Sequence, residues 1–229
     1  MEIEKLDNPT WYSLIEEHKD YAIDYSDNVK FYHPKFCPFG AFSNQERIEV
    51  QIDKYSLLTN TFFVVGNSPN FSDKVMLSKE LVCNQMLLDK PIDIELSELV
   101  IELKTIQQKK DLFELVNLVQ PGYFMSDTSA LGKYYGIYKN SVLVAVAGER
   151  MKMNKYTEVS AVVTHPEYIG RGYAKQLVAF VSNKIFSESK MPYLHVAETN
   201  AAAIKLYEKL GFWTRRKISF WNFISDNKI

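Results

Sequence analysis

The spacing of apolar residues becomes regular only in the second part of the chain, after about residue 95. Apolar runs typical of strands lie at residues 99–103, 134–138, 142–151, 157–164, 193–197 and, as a strand or a hairpin, 212–223. Apolar positions at helical spacing predict helices that begin near residues 111, 174 and 203. Short polar breaks join the three strands between residues 134 and 164, which favours an antiparallel meander.

The first part of the chain has a weaker pattern. Nine aromatic residues crowd residues 11–42 with little periodicity, and prolines and a glycine interrupt them. We expect a helix around residues 11–19 and a strand over residues 61–65, where Gly66 and Pro69 follow as turn residues. Apart from that strand, the pattern assigns no functional role to residues 43–91.

Composition narrows the class of protein. A chain of 229 residues with 46% hydrophobic residues can bury a sizeable core, and a net charge of -1 gives no sign of a basic face for nucleic acid. Cys37 and Cys83 lack the spacing of a zinc site and make no disulfide framework, so we expect buried thiols in a reducing compartment. No segment reaches about 18 consecutive apolar residues. We therefore expect a cytoplasmic protein with no metal and no nucleic-acid or membrane partner.

The segment HPEYIGRGYA, residues 165–174, places two glycines between a predicted strand and a predicted helix. Backbone N–H groups at a helix start have no intrahelical acceptor, and glycine lets a phosphate approach them closely. A P-loop would continue with Lys and then Ser or Thr, but Tyr173 and Ala174 follow Gly172. A dinucleotide-binding turn would need a third glycine and a parallel βαβ series. Alone, the turn is a weak signal, because two glycines are more often local geometry.

Two motifs together resemble the GNAT superfamily of acyl-CoA-dependent N-acyltransferases. Residues 165–174 are similar to its pyrophosphate loop, and NAAAIKLYEKLGF, residues 200–212, is similar to its Asn-to-Tyr helix. Further stretches that look like its FR47-like branch lie at residues 121–137, 147–151 and 156–162.

The resemblance implies an α/β GNAT fold, with a mixed, mostly antiparallel central sheet flanked by helices and an N-terminal α+β extension packed on it. We predict that this extension covers residues 1–95, with a degenerate half-GNAT domain as one interpretation. The GNAT N-acetyltransferase domain is predicted at residues 96–229.

The resemblance also implies a site for acetyl-CoA, the acyl donor. The residues implied at the pyrophosphate, mostly through main-chain N–H groups, are Ile169, Gly170, Arg171, Gly172, Tyr173, Ala174 and Lys175. Ile169 stands where the family has Gln or Arg, so we expect Arg171 and Lys175 to supply part of the missing charge. Asn200 is implied to contact the pantetheine arm. The main-chain donors implied for the thioester carbonyl are those of Val162, Val163 and Thr164.

The implied reaction moves an acetyl group from acetyl-CoA to a primary amine by direct attack in a ternary complex. The amine must be neutral, and a general base offsets the cost of its deprotonation. Glu158 is the preferred base, Glu149 is its rival, and Tyr207 is implied to protonate the leaving thiolate. Small amines, amino acids, antibiotics, peptide N-termini and protein lysines all stay open as acceptors, and so does the oligomeric state.

Two alternatives to this function stay open. One is a catalytically weak acyl-CoA-binding regulatory module, which keeps the cofactor cradle but not the acceptor site. The other is an N-acyltransferase that uses a longer acyl group or an amino-acid acceptor. Acetyl-CoA binding is expected of the enzyme and of the module, so only turnover separates these two.

Overall fold

The computed structural model describes residues 2–225, so Met1 and residues 226–229, at the outer ends of the two predicted regions, lie outside the described residues. Within this part of the chain, eleven strands form one mixed sheet. They are β1 Ala22–Ser26, β2 Val29–Tyr32, β3 Phe39–Phe42, β4 Thr61–Val65, β5 Met76–Leu87, β6 Ile101–Glu102, β7 Tyr134–Lys139, β8 Val142–Lys152, β9 Tyr156–Thr164, β10 Met191–Ala197 and β11 Trp213–Ile224.

Helices flank this sheet. The α-helices of the described residues are α1 Pro9–Ile15, α2 Ile48–Ser56, α3 Ile106–Val119, α4 Tyr173–Ser187 and α5 Ala201–Lys209. Short 3-10 segments lie at Glu2–Asp7, Lys19–Tyr21, Thr128–Ala130 and Pro166–Tyr168. The predicted fold class, α/β with a mixed and mostly antiparallel sheet, is confirmed. Across residues 2–225, no helix has the length and apolar character needed to cross a membrane.

The largest differences from the predicted bounds lie at element ends. The strand expected at residues 99–103 is reduced to β6, which has only two residues. Helix α3 begins at Ile106, earlier than predicted, because Thr105 and Gln108 form a capping box. In that box Gln108 N donates to Thr105 Oγ1 at 3.2 Å, and Thr105 N donates to Gln108 Oε1 at 2.9 Å. The last apolar run is one strand, β11, and not a hairpin.

The sheet order is β1-β2-β3-β4-β11-β5-β10-β9-β8-β7-β6. Each half of the sheet contains three antiparallel strands, a crossover helix and a parallel strand: β1-β2-β3-α2-β4 in the first half and β7-β8-β9-α4-β10 in the second. The N-terminal extension therefore continues the central sheet, so the sheet itself joins the two predicted regions.

Strands β5 and β11 cross between the halves. β5 follows β4 in the chain but pairs with β10, and β11 follows β10 but pairs with β4. β5 and β11 also pair with each other along most of their length. The first half thus supplies β5 as the antiparallel neighbour of β10, and the second half supplies β11 as the antiparallel neighbour of β4.

Each crossover helix covers a hydrophobic core. Helix α4 buries Leu177, Val181 and Ile185 against the second half of the sheet. Helix α2 packs on aromatic residues of the first half, where Phe31 and Tyr55 stack with their ring centroids 4.1 Å apart. The aromatic crowding of the N-terminal segment is therefore largely core packing.

A fragment of residues 96–229 is expected not to fold alone. It lacks β5, so the facing edges of β10 and β11 would lose their hydrogen-bond partners and the apolar surface beneath them would be exposed. Circular dichroism and the amide NMR spectrum of the fragment test this, with the whole chain and the fragment co-expressed with residues 1–95 as controls. Cooperative unfolding of the fragment alone would contradict the prediction.

Candidate active site

Strands β9 and β10 are paired only at their first residues and then separate. The two parallel strands pair only at residues 156–158 of β9 and 191–193 of β10. Beyond Glu158, β9 keeps its pairing with β8 on one side but has no strand partner on the other among the described residues. The edge of residues 159–164 therefore presents backbone groups to whatever binds in the gap.

The backbone of β9 is strained within this gap. Ala161 has φ of +50°, in the left-handed region that a residue with a Cβ rarely adopts, and the β8–β9 register shifts beside it, between Val146 and Gly148. Such a conformation costs roughly 1–2 kcal/mol. Val163 is buried, while Val162 and Thr164 are partly exposed, so the three predicted carbonyl-binding residues line the deviating segment.

A cavity of about 340 Å³ opens from the gap. Polar residues that line it include Tyr134, Arg150, Glu158 and His195 from four strands, with Asn200 at the N-cap of α5 and Tyr207 within that helix. Its apolar walls include Phe39, Leu81, Phe124, Val162 and Phe220. Phe39 and Leu81 belong to the first half of the chain, so both halves build this cavity.

The predicted glycine loop lies between the end of β9 and the start of α4. Gly170 and Gly172 have φ of +82° and +77°, and a Cβ built on either would meet nothing within 4 Å. Gly172 is the N-cap of α4 without any side-chain cap, and the first turn of α4 has no acidic residue. The first N–H groups of this 15-residue helix thus have no side-chain cap, and helix starts with free N–H groups favour anions.

The side chains of the loop are arranged around this backbone. Ile169 is 69% exposed. The guanidinium carbon of Arg171 lies 4.7 Å from the centroid of the Tyr168 ring, and its Nη2 donates to the Glu167 carbonyl at 3.3 Å. Lys175 is exposed, Ala174 is partly exposed and Tyr173 is buried. The loop therefore has two exposed cations beside its free N–H groups.

Two predicted residues come from α5. Asn200 Oδ1 accepts the Ala203 N–H at 3.1 Å and caps the helix, while the residue also lines the cavity. Tyr207 is buried, and its hydroxyl makes no hydrogen bond to a residue in the described part of the chain. Burial raises the pKa of Tyr207 to about 12, so the hydroxyl keeps its proton at neutral pH.

Glu158 lies at the point where the strands part and is fully engaged. Arg150 Nε and Nη2 donate to its two oxygens at 2.8 and 2.9 Å, and His195 Nδ1 lies 2.8 Å from Oε1. Burial alone would raise the pKa of Glu158, but the charge and hydrogen bonds of Arg150, with that of His195, lower it to about 2. A carboxylate held in this way is a poor proton acceptor. Its geometry favours a positioning role over the predicted role of base.

The network continues into the first half of the chain. His195 Nε2 lies 3.2 Å from Gln85 Nε2, and Gln85 Nε2 also donates to the Leu6 carbonyl at 2.8 Å. If His195 donates from Nδ1 to Glu158, its Nε2 accepts from Gln85. The imidazole is then occupied at both nitrogens.

Glu149, the rival base, faces away from the cavity. It is fully buried, and its Oε2 accepts from Lys152 Nζ at 2.7 Å and from Lys133 N at 3.3 Å. Neighbouring residues of a strand point to opposite faces, and Arg150 is the one that lines the cavity. We therefore drop Glu149 from the proposed catalytic set.

Sequence reasoning missed three features of this site. Arg150 is one of three charged residues that end the apolar run of β8, beside Glu149 and Lys152, a signal that could have been found. Tyr134 and Ala161 gave no signal, because their roles depend on the neighbouring strand and on a local backbone distortion.

The α/β fold thus combines parted parallel strands with an uncapped helix start after a glycine loop, the arrangement that the resemblance to the GNAT superfamily implies. Residues 134–221 match the family model described as FR47-like protein. This match and the first solved structure below support a GNAT-superfamily, FR47-like protein, the resemblance that the two sequence motifs indicated.

Solved structures agree with this assignment. A GNAT-family protein from Novosphingobium aromaticivorans, described as an acetyltransferase, is 28% identical, with 97% of this chain and 99% of that chain covered and a TM-score of 0.85. A GCN5-related N-acetyltransferase-like protein from Streptococcus suis is 16% identical, with 96% of each chain covered and a TM-score of 0.65.

A tandem GNAT protein from the clavulanic acid biosynthesis pathway is 13% identical, with 88% of this chain and 79% of that chain covered and a TM-score of 0.56. At such low identity, this structure and the Streptococcus suis structure show only the fold. No curated protein matches the sequence.

The pair of Arg150 and Glu158 is expected to be strongly coupled. Glu158→Gln leaves the Arg150 charge unpaired in a buried site, and Arg150→Met leaves the Glu158 charge unpaired, so each single variant should lose roughly 3–5 kcal/mol of unfolding free energy. The double variant removes both charges and should lose less than the sum of the two. Urea unfolding of the two single variants and the double variant measures this coupling. Small, additive losses below about 1 kcal/mol would contradict a buried pair.

Proposed function

We propose that this protein is an N-acetyltransferase that transfers an acetyl group from acetyl-CoA to a primary amine. The observation that carries the proposal is one cavity at the parted strands, lined by residues 159–162 of the unpaired β9 edge and by Tyr207, whose hydroxyl has no partner within residues 2–225. The same strand leads through the glycine loop to the uncapped N–H groups at the start of α4. The alternatives of a longer acyl group and of a regulatory module are outcomes of the tests below.

The residues present fit acetyl-CoA at both ends. The main chain of residues 170–174 would hold the pyrophosphate at the helix start, with Arg171 and Lys175 beside it. Asn200 caps α5 with Oδ1, so its side-chain N–H₂ is the group left for the pantetheine arm. When bound, acetyl-CoA supplies a thioester whose carbonyl carbon accepts a nucleophile and whose sulfur leaves.

Main-chain donors and Tyr207 would act on the reacting atoms. As the amine nitrogen bonds to the carbonyl carbon, N–H groups at residues 162–164 would stabilise the negative charge that develops on oxygen. Tyr207 would donate a hydrogen bond to the departing sulfur. With a pKa of about 12 against about 8.5 for an ordinary thiol, hydrogen bonding is favoured over complete proton transfer.

Glu158 and His195 would position other groups and not act as bases. The partners of Glu158 are Arg150 and His195, and those of His195 are Glu158 and Gln85. The amine would therefore lose its proton to solvent, either before attack or through water in the cavity.

We also propose that residues 1–95 are a degenerate half-GNAT domain. Arg47 precedes α2 with φ of +54°, as Gly172 precedes α4 with φ of +77°. The loop before α2 has no glycine, and Gln45 bonds it to a neighbouring turn: Nε2 donates to the Ser68 carbonyl at 2.8 Å, and Oε1 accepts from Asn70 N at 3.1 Å. These contacts support a scaffold role without a second cofactor site. The predicted cytoplasmic location stays a prediction.

Calorimetry and a thiol-release assay test the proposed function. We expect one acetyl-CoA bound per chain and release of free thiol that depends on an added primary amine. Tyr207→Phe should lower turnover on the order of 10²-fold and leave acetyl-CoA affinity near that of the unmodified protein. Absence of binding would reject the enzyme and the module together, and binding without turnover of any acceptor would favour the module.

Gly172→Val is expected to weaken acetyl-CoA binding at least tenfold. The valine would occupy the space that the loop leaves for phosphate, at a φ that β-branched residues avoid. Gly66→Val is the matched control, because Gly66 also has positive φ and nothing within 4 Å but lies at the end of β4. Calorimetry of both variants gives the comparison. Equal affinities in the two variants would reject the loop assignment.

The pH dependence should follow the acceptor and not the protein. Glu158 stays ionised above about pH 4 because its pKa is lowered to about 2, and Tyr207 stays protonated below about pH 10 because its pKa is raised to about 12. Activity should then rise with pH as the amine loses its proton. Profiles of kcat/KM for two acceptors of different amine pKa check this. A midpoint near pH 6–7 that is the same for both acceptors would reveal a protein base and contradict the account.

A further inference from the structure

Two hydrogen-bond donors line the cavity without a protein partner. Arg150 uses Nε and Nη2 for Glu158, but Nη1 makes no hydrogen bond within residues 2–225. The hydroxyl of Tyr134 is buried and also has no partner in that range. Because nearly all buried polar groups are hydrogen-bonded, the Tyr134 hydroxyl points to a ligand group in this cavity, and Arg150, which lines the same cavity, offers Nη1 as a second donor.

The sheet places the two donors on one face. Tyr134 on β7 pairs with Gly148 on β8, two residues before Arg150, and residues i and i+2 of a strand share a face. A Cβ at Gly148 would lie 2.3 Å from Tyr134 Cδ1, so only glycine lets the ring lie over β8. The ring of Phe124 packs edge-on against it, with centroids 5.4 Å apart. The Tyr134 hydroxyl is therefore held on the same side as the Arg150 guanidinium.

Arg150 is held with similar rigidity. Two hydrogen bonds to Glu158 fix one edge of its guanidinium, and the guanidinium carbon lies 4.8 Å from the centroid of the Phe39 ring. The side chain is only 13% exposed. Nη1 is thus a positioned donor at the cavity wall and not a mobile surface group.

A carboxylate satisfies both donors. The N–H groups of a guanidinium and the O–H group of a phenol both donate hydrogen bonds, so the ligand group must be an acceptor. Planar carboxylates are the partners that arginine binds best. Burial raises the pKa of Tyr134, so its hydroxyl stays a donor at neutral pH. The walls nearby are apolar: Phe39, Leu81, Phe124 and Phe220.

We propose that the amine acceptor is a small amino carboxylic acid with an apolar body, whose carboxylate binds Arg150 Nη1 and the Tyr134 hydroxyl. Arg150 then bridges two carboxylates, that of Glu158 and that of the acceptor. The amine of such a molecule reaches the gap between β9 and β10 from the same cavity, because Val162 and Tyr207 line it as well. This inference rests on the proposed acetyl transfer and specifies its substrate.

Matched acceptor pairs test the inference with the full chain and acetyl-CoA. The pairs are glycine with methylamine, L-leucine with 3-methylbutylamine and L-phenylalanine with 2-phenylethylamine, and released thiol is measured. We expect kcat/KM for L-leucine or L-phenylalanine to exceed that of its decarboxylated partner about 10- to 100-fold. Equal or faster turnover of the decarboxylated amines would overturn the inference and leave the proposed function intact.

Two further arms separate the remaining outcomes. Turnover of simple amines with succinyl-CoA but not with acetyl-CoA would assign the carboxylate to the acyl group and overturn the acceptor assignment. Absence of acetyl-CoA binding in calorimetry would overturn the proposed function and the inference together.

Variants locate the carboxylate site. Tyr134→Phe removes only an unpartnered hydroxyl, so the fold should persist, and KM for the amino acid should rise about tenfold while KM for acetyl-CoA is unchanged. Arg150→Lys keeps the charge but loses the guanidinium fork, and the same KM should rise further. Tyr135→Phe is the control, because Tyr135 packs on Phe180 on the opposite face. An unchanged KM in both site variants would overturn the inference.

Discussion

The parting of β9 from β10 beyond Glu158 is the constraint on which the rest of the structure depends. It leaves the backbone edge of residues 159–164 without a strand partner inside a protein that pairs its other central strands. Where the gap begins, the buried hydrogen-bond network of Arg150, Glu158 and His195 links β8, β9 and β10 and holds the strands at the point where they separate. The unpaired donors of this edge can be satisfied by a ligand, and the proposed thioester site rests on them.

The exchange of β5 and β11 makes the two halves of the chain one cooperative unit. β5 gives β10 its antiparallel neighbour and carries Gln85, which closes the hydrogen-bond network behind His195. The first half also supplies Phe39 against the guanidinium of Arg150. The N-terminal region thus acts on the site through shape and positioning, although its own loop before α2 is closed.

Local patterns predicted much of the second half of the fold. The strands at 134–164 and the helix over 174–185 have strong periodicity and short connections, and the structure contains them nearly as predicted. The glycine loop could be located from its two glycines, because φ near +80° at Gly170 and Gly172 favours that residue. The first half could not be predicted in the same way, because core contacts such as the stack of Phe31 on Tyr55 join residues that are distant in sequence and leave no local periodicity. The Arg150–Glu158 pair could not be predicted either, because it depends on the β8–β9 register, which a bulge shifts.

Amide hydrogen exchange with and without acetyl-CoA tests the central claim most directly, since it reads the backbone groups of the gap themselves. Acetyl-CoA should slow exchange within residues 159–164, at the N–H groups on the β9 edge that faces away from β8, and within residues 170–175 at the uncapped start of α4. It should leave residues 43–47 of the first half unchanged. Unchanged exchange at residues 159–175, or equal slowing at residues 43–47, would contradict a single cofactor site at the parted strands.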